Sequence, residues 1–447
     1  MLRSLIFFML LFSLASLTAQ AETLAERGYR LLVTKPYVPA SFHESVIKDI
    51  WQVWPAELKE AAEKASPEER RRMVYARYGL SPRPDDPSKP LQFVVDEAGN
   101  WTTNCFTCHG GKVGGKLVPG LPNSHYALQT LTEESRAFKL KTNQPLAPIE
   151  FGSLFMPLGT TNGTTNAVIF GIALAHYRDK DLNVVPRASR PEMLHHDMDA
   201  PPWWHFRKKQ MLYIDGFAEK GHRGLLQMAL DKRNGPEKFR EWEEDSKAIF
   251  AYLESLEAPA YPFSIDQRLS RDGEVVFRDH CARCHGSYGK SETYPHRMVP
   301  IEDIGTDRAR FDALTPEHRA SYGRNWFSQY GKEKVVANPA GYMAPPLDGV
   351  WASAPYFHNG SVPTLWHVLH PDKRPVVWYR TPDGYDSVRI GLEVEEFATI
   401  PNAVTTNVER RAYFDTRRFG KSAAGHTYPD ALSEDERAAV LEYLKTL

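Results

Sequence analysis

Two runs of the form C-x-x-C-H, Cys105-Phe106-Thr107-Cys108-His109 and Cys281-Ala282-Arg283-Cys284-His285, constrain this chain more than anything else in it. Together they use all four cysteines, and both continue into a glycine. Two thiols two residues apart can add across the two vinyl groups of one porphyrin, and the adjacent imidazole then lies under the iron as its proximal ligand. A C-x-x-C pair alone also serves as a redox disulfide or as half of a zinc site. Neither use needs a histidine directly after the second cysteine, and neither accounts for two copies. The sequence therefore predicts two covalently bound haem c groups, attached through Cys105, Cys108, Cys281 and Cys284, with His109 and His285 as iron ligands.

The N-terminus points to the compartment in which such attachment occurs. Arg3 precedes the apolar run Leu5-Ile6-Phe7-Phe8-Met9-Leu10-Leu11-Phe12, and small residues follow up to Ala19-Gln20-Ala21. This is the pattern of a secretory leader over residues 1–21, with a mature chain from Glu22 and the periplasm as the expected address. The run is short for a bilayer span and no later segment is long and apolar, so no membrane span is expected after leader cleavage. Charge is balanced, 55 Lys+Arg against 56 Asp+Glu, and no basic run marks a nucleic-acid partner. The 10 tryptophans are expected to pack around the porphyrins.

A repeat of helix ends divides the chain. Asp245 to Leu256 and Arg437 to Leu447 both carry apolar residues at helical spacing, with Tyr-Leu one turn before a final Leu. Ser433 and Glu436 form a capping box for the second copy. The first copy is followed by Pro259 and Pro262. Leu269 to His280 reads as the short helix that leads into the second C-x-x-C-H. The expected fold is mainly α: two cytochrome c-like haem domains, 22–258 and 259–447, the N-terminal one enlarged by insertions beyond the ~100 residues of a minimal domain. Pro82 to Pro90, Gly110 to Gly120 and Gly159 to Gly163 read as loops, with little sheet.

The distal ligands decide between electron transfer and ligand chemistry, because only an open or weakly held iron binds peroxide or oxygen. Met343 is a candidate for the second haem, a thioether following a loop. His358 on its own reads as a turn histidine before Asn359-Gly360. For the first haem, His125, Met156, His176, His195, His196 and His205 are candidates, although a lone histidine is usually no ligand. Arg207, Lys208 and Lys209 read as a solvated face or as partners of porphyrin carboxylates.

The segment from Tyr342-Met343-Ala344-Pro345-Pro346-Leu347 through Trp351 and Ala354-Pro355-Tyr356-Phe357-His358-Asn359-Gly360-Ser361 to Thr364-Leu365 resembles the di-haem cytochrome c peroxidase superfamily. It is most similar to the rubber-oxygenase-like branch and also resembles the di-haem enzyme of methylamine utilisation. The resemblance implies that His358 is the distal ligand of the second haem, with Met343 as the alternative. Tyr213-Ile214-Asp215-Gly216-Phe217 is similar to an element that lies between the haem motifs in that family. The family form has Trp where this chain has Ile214, which leaves Trp203 or Trp204 to carry electrons between the haems. Phe206 and Phe217 are the corresponding candidates for an apolar lining of the first haem, and a calcium ion between the domains is implied as well. The expected activity is that of an oxidoreductase using peroxide or oxygen at the first haem and passing electrons through the second. A small cytochrome c or a cupredoxin is the expected partner. The alternative is an electron carrier with no substrate chemistry of its own. The likeness fixes no substrate.

Overall fold

The computed structural model describes residues 21–186, 189 and 193–447, so the expected leader lies, apart from Ala21, outside the described residues. Two helix crossings organise the molecule. The Leu24–Thr34 helix, capped by a Thr23/Glu26 box, packs across Glu243–Ser255, and the Gln267–His280 helix packs across Glu434–Leu444. Each crossing turns on one glycine. A Cβ on Gly28 would lie 2.1 Å from the Ala248 carbonyl oxygen, and one on Gly273 would lie 1.9 Å from that of Ala439. Only a residue without a side chain admits so close an approach. Tyr252 and Tyr443 flank the two contact points in the same way. The repeated Tyr-Leu ends of the sequence are thus the second members of two matching helix pairs.

Helix accounts for 42% of the chain and strand for 14%. The mainly α expectation holds only modestly, and the chain forms more sheet than its sequence suggests. Gly110–Val113 and Lys116–Pro119 pair as an antiparallel hairpin, Gly110 opposite Pro119, where the sequence read a loop. Gly114 and Gly115 both adopt positive φ at its tip. A larger antiparallel sheet has Val377–Asp386 between Gly391–Phe397 and Tyr413–Asp415. Trp378 is fully buried in it and stacks on Phe414, with ring centroids 5.0 Å apart.

Buried polar ties join the two halves. Asp215, from the D-G element, accepts from Arg310 at 3.2 and 3.3 Å and from Arg319 at 2.9 and 3.1 Å, all three side chains being buried. Lys421 reaches Asp197 at 3.1 Å, and Arg411 clasps Glu133. Trp204 donates its indole N–H to the Asp348 carbonyl at 2.6 Å. Among the described residues no helix is long and apolar enough to cross a membrane.

Candidate functional site

The first C-x-x-C-H run is a tight turn wedged into an aromatic core. Phe106 is fully buried against Tyr29, Trp203 and Tyr252. Asn104 Oδ1 accepts the Phe106 N–H at 2.9 Å, and the Thr107 hydroxyl donates to the Gln92 carbonyl at 2.8 Å. His109 is thereby aimed along one face of Trp203, its ring 4.7 Å away and nearly parallel. Burial pushes this imidazole down to about 4, with the Pro201 carbonyl opposing, so it is neutral at pH 7 and carries a free lone pair.

The second run follows the Gln267–His280 helix directly, the Cys281 N–H closing onto the Phe277 carbonyl at 2.8 Å. Gly286 turns the chain away at φ 86°, where a Cβ would strike the Thr293 carbonyl oxygen at 2.0 Å. His285 Nδ1 lies 2.9 Å from the Pro345 carbonyl oxygen. A carbonyl only accepts, so Nδ1 carries the proton and Nε2 presents its lone pair, the orientation that such a backbone partner gives a metal-bound histidine. The carbonyl is itself held in place. Tyr294 donates to Ala344 O at 2.6 Å, and Tyr288 accepts the Leu347 N–H at 2.6 Å while donating to His285 O at 3.0 Å.

No two cysteines are joined as a disulfide; Cys105 is exposed and the others are half-buried. Burial nonetheless pushes the thiols of Cys105 and Cys281 up to about 11 and that of Cys108 up to about 12. Paired thiols two residues apart, with a half-buried imidazole directly after the second, fit a covalently attached haem at each centre.

The His426 imidazole lies beside His285, its ring centroid 6.2 Å away. Two imidazoles sharing one metal, each nitrogen about 2 Å from it, hold their centroids about 6 Å apart. His426 sits in the left-handed region at φ 46°. Its N–H donates to the Ile304 carbonyl at 2.7 Å. The Arg374 guanidinium clamps its loop through the carbonyls of Ala423 and Gly425, each at 2.7 Å. His358 lies elsewhere, against Tyr342 with centroids 4.6 Å apart, and its carbonyl accepts the Asp199 N–H at 2.9 Å. Burial, then Arg310 and His196, pushes it down to about 3. Met343 is buried, and its thioether fills the space beside Gly216, where a Cβ would lie 2.2 Å from the sulfur.

Of the other candidates, Trp203 touches His109, whereas Trp204 reaches towards the second half. Phe206 packs on Phe250, and Phe217 stacks on Tyr213. His195 and His196 face the carbonyls of Pro157 and Leu194, and His205 faces that of Asp348. His176 faces Ser189 O, and Met156 is half-buried. Lys208 is tied to Asp348 at 2.7 Å and Glu292 at 3.1 Å, and exposed Arg207 lies 3.5 Å from Glu257. Burial alone lowers Lys209 to about 8.

Beside the first centre stand two polar residues that no sequence motif marks, Asp199 and Arg380. Asp199 acts on the Cys108 thiol, and burial raises its own carboxyl well above the usual range against the pull of Arg380. Arg380, from the large sheet of the second half, also acts on His125. Arg380 Nη1 and His125 Nε2 are both buried without a hydrogen-bond partner. Among the described residues, no three His, Cys, Asp or Glu side chains gather as a set for a bare metal ion.

Residues 341–379 match a family described as RoxA-like, cytochrome c-like. The chain is also similar to the uncharacterized protein y4iM of Sinorhizobium fredii, 27% identical over 314 residues, or 60% of this chain and 69% of that protein. It is similar to y4iJ of the same organism, 29% identical over 258 residues, or 43% of this chain and only 41% of that one. The matched family segment runs from the strand before Pro345, through His358, into the large sheet. By this likeness the segment is cytochrome c-like, which implies haem c binding.

Proposed function

We propose that this chain is an exported di-haem c-type cytochrome that works as an oxidoreductase, with one haem in each half. Cys105, Cys108 and His109 would hold the first, and Cys281, Cys284 and His285 the second. We infer that His426, in place of the His358 expected from the family likeness, would join His285 in holding the second haem. Haem supplies one-electron chemistry and, where an axial position is open, oxygen or peroxide binding.

The observation that carries this reading is the inequality of the two centres. His285 has an imidazole across from it at ligand spacing, whereas among the described residues no imidazole faces His109 in that way. A centre closed by two imidazoles suits electron transfer. A centre with one imidazole, flanked by Asp199, Arg380 and His125, suits a reactant that needs a proton and a positive charge nearby. His285 is held in one orientation by Pro345, and Trp203 holds the plane of His109. A small cytochrome c or a cupredoxin in the periplasm would supply electrons at the second centre.

Spectra of the oxidised protein test this directly. One low-spin and one high-spin ferric centre, with cyanide binding at one of them only, is the expected result. Two low-spin centres indifferent to cyanide would reduce the protein to an electron carrier. Intact mass should exceed that of the processed chain by two porphyrins.

A further inference from the structure

The turn that follows the Leu128–Lys141 helix is built inside out. Glu150 is fully buried and accepts from Ser135 Oγ at 2.5 Å, Lys139 Nζ at 2.8 Å and the Ala147 N–H at 2.6 Å. Arg136 donates to the Glu150 carbonyl at 2.6 Å and to Ser153 Oγ at 2.8 Å. These bonds pin the Pro148–Gly152 helix and the turn that prolongs it against the longer helix. The polar side therefore faces inward.

The apolar side faces out. Phe151, Leu154 and Phe155 stand at i, i+3 and i+4, one face of a helical turn, and are 57, 56 and 77% exposed. The two phenylalanine rings meet edge to face at 5.4 Å. Leu140, 64% exposed, ends the neighbouring helix. A surface turn ordinarily has the reverse polarity. A rigid apolar knuckle held by a buried carboxylate is not a by-product of loose packing.

Its electrostatic rim is positive. The three carboxylates of this region are consumed within the protein: Glu133 by Arg411, Glu134 by Arg77 and Glu150 by Lys139. Arg136 meets only a carbonyl and a hydroxyl, and exposed Lys141 pairs with no carboxylate among the described residues. The exposed apolar area is roughly 400 Å². That is about half the ~800 Å² each partner contributes to a stable protein complex, which argues against a second copy.

We propose that this knuckle seats the protein on an anionic phospholipid surface, the three apolar side chains entering the boundary between headgroups and acyl chains and Lys141 lying among the phosphates. The inference is independent of how the haems are ligated.

Flotation of the exported, haem-loaded protein with phosphatidylethanolamine–phosphatidylglycerol vesicles tests it. The native protein should float with these vesicles and at least ten-fold less with phosphatidylcholine alone. The Phe151→Ser/Leu154→Ser/Phe155→Ser variant should lose at least ten-fold, with its haem spectrum unchanged, and Lys141→Glu should weaken binding to the anionic vesicles. A native protein that stays in solution, or a triple variant that floats as well as the native one, overturns the proposal. So does a concentration-dependent dimer without lipid that the triple variant abolishes, because the knuckle would then serve self-association.

Discussion

His426 and His358 present a direct contrast between two histidines of the same half. His426→Ala should convert the second centre to a high-spin or water-ligated spectrum and leave the first unchanged, whereas His358→Ala should leave both low-spin and high-spin signatures in place. The reverse pattern would return the ligand role to His358. His426 was not legible in the sequence because no motif surrounds it. A histidine after a glycine has no ligand signature, and only the fold brings this loop, held by Arg374, back onto His285. His205 carries a different prediction. Burial, then Lys209, holds its imidazole down to about 3, against an ordinary value near 6.5. The unfolded chain binds a proton there that the folded chain refuses, so stability is complete above about pH 6.5 and declines as the pH falls towards 3. In urea melts from pH 7 to pH 4.5, His205→Gln should lose less than the native protein, by up to about 1.4 kcal/mol per pH unit. Equal slopes would remove His205 from the acid response.

The helix crossings are the elements most sensitive to a single methyl group. Gly273→Ala places a carbon where the Ala439 carbonyl stands, so the helices must part. We expect a loss of about 3 kcal/mol or more in urea melts, from overpacking at a backbone contact, and reduced covalent haem at the second centre by mass and haem stain. Gly28→Ala should do the same at the first centre and spare the second. Three of the four helices were legible, 245–256, 269–280 and 437–447, because helical spacing over eleven or more residues is a strong signal, whereas Leu24–Thr34 was not singled out. The strands were not. Gly110–Val113 and Lys116–Pro119 are four residues each, separated by two glycines, and at that length a hairpin and a glycine-rich loop read alike. The Val377–Asp386 strand carries Val377 and Trp378 side by side, both fully buried, because one packs on each side of a covered sheet. That erases the alternation by which strands are recognised.

Across the whole molecule the halves depend on each other through charge. Asp215 answers two buried guanidiniums from the other half, so Asp215→Ala should cost about 3–5 kcal/mol in thermal or urea unfolding, and it should weaken both centres together. A variant that melts like the native protein would show that the hub is dispensable. The sequence marked this aspartate only as part of a family element and could not reveal its partners, which lie far along the chain in an otherwise unremarked segment. The same holds for Arg380, which the second half's sheet delivers to the neighbourhood of Cys108.

One contact reaches furthest. Because the Pro345 carbonyl fixes the proton of His285 on Nδ1, and burial shifts the ring towards its neutral form, the imidazole is biased to its bonding form before any iron arrives. Loading this centre near neutrality should therefore release less acid from that ring than the same step on a free imidazole would, and maturation of the second half should depend less steeply on external pH.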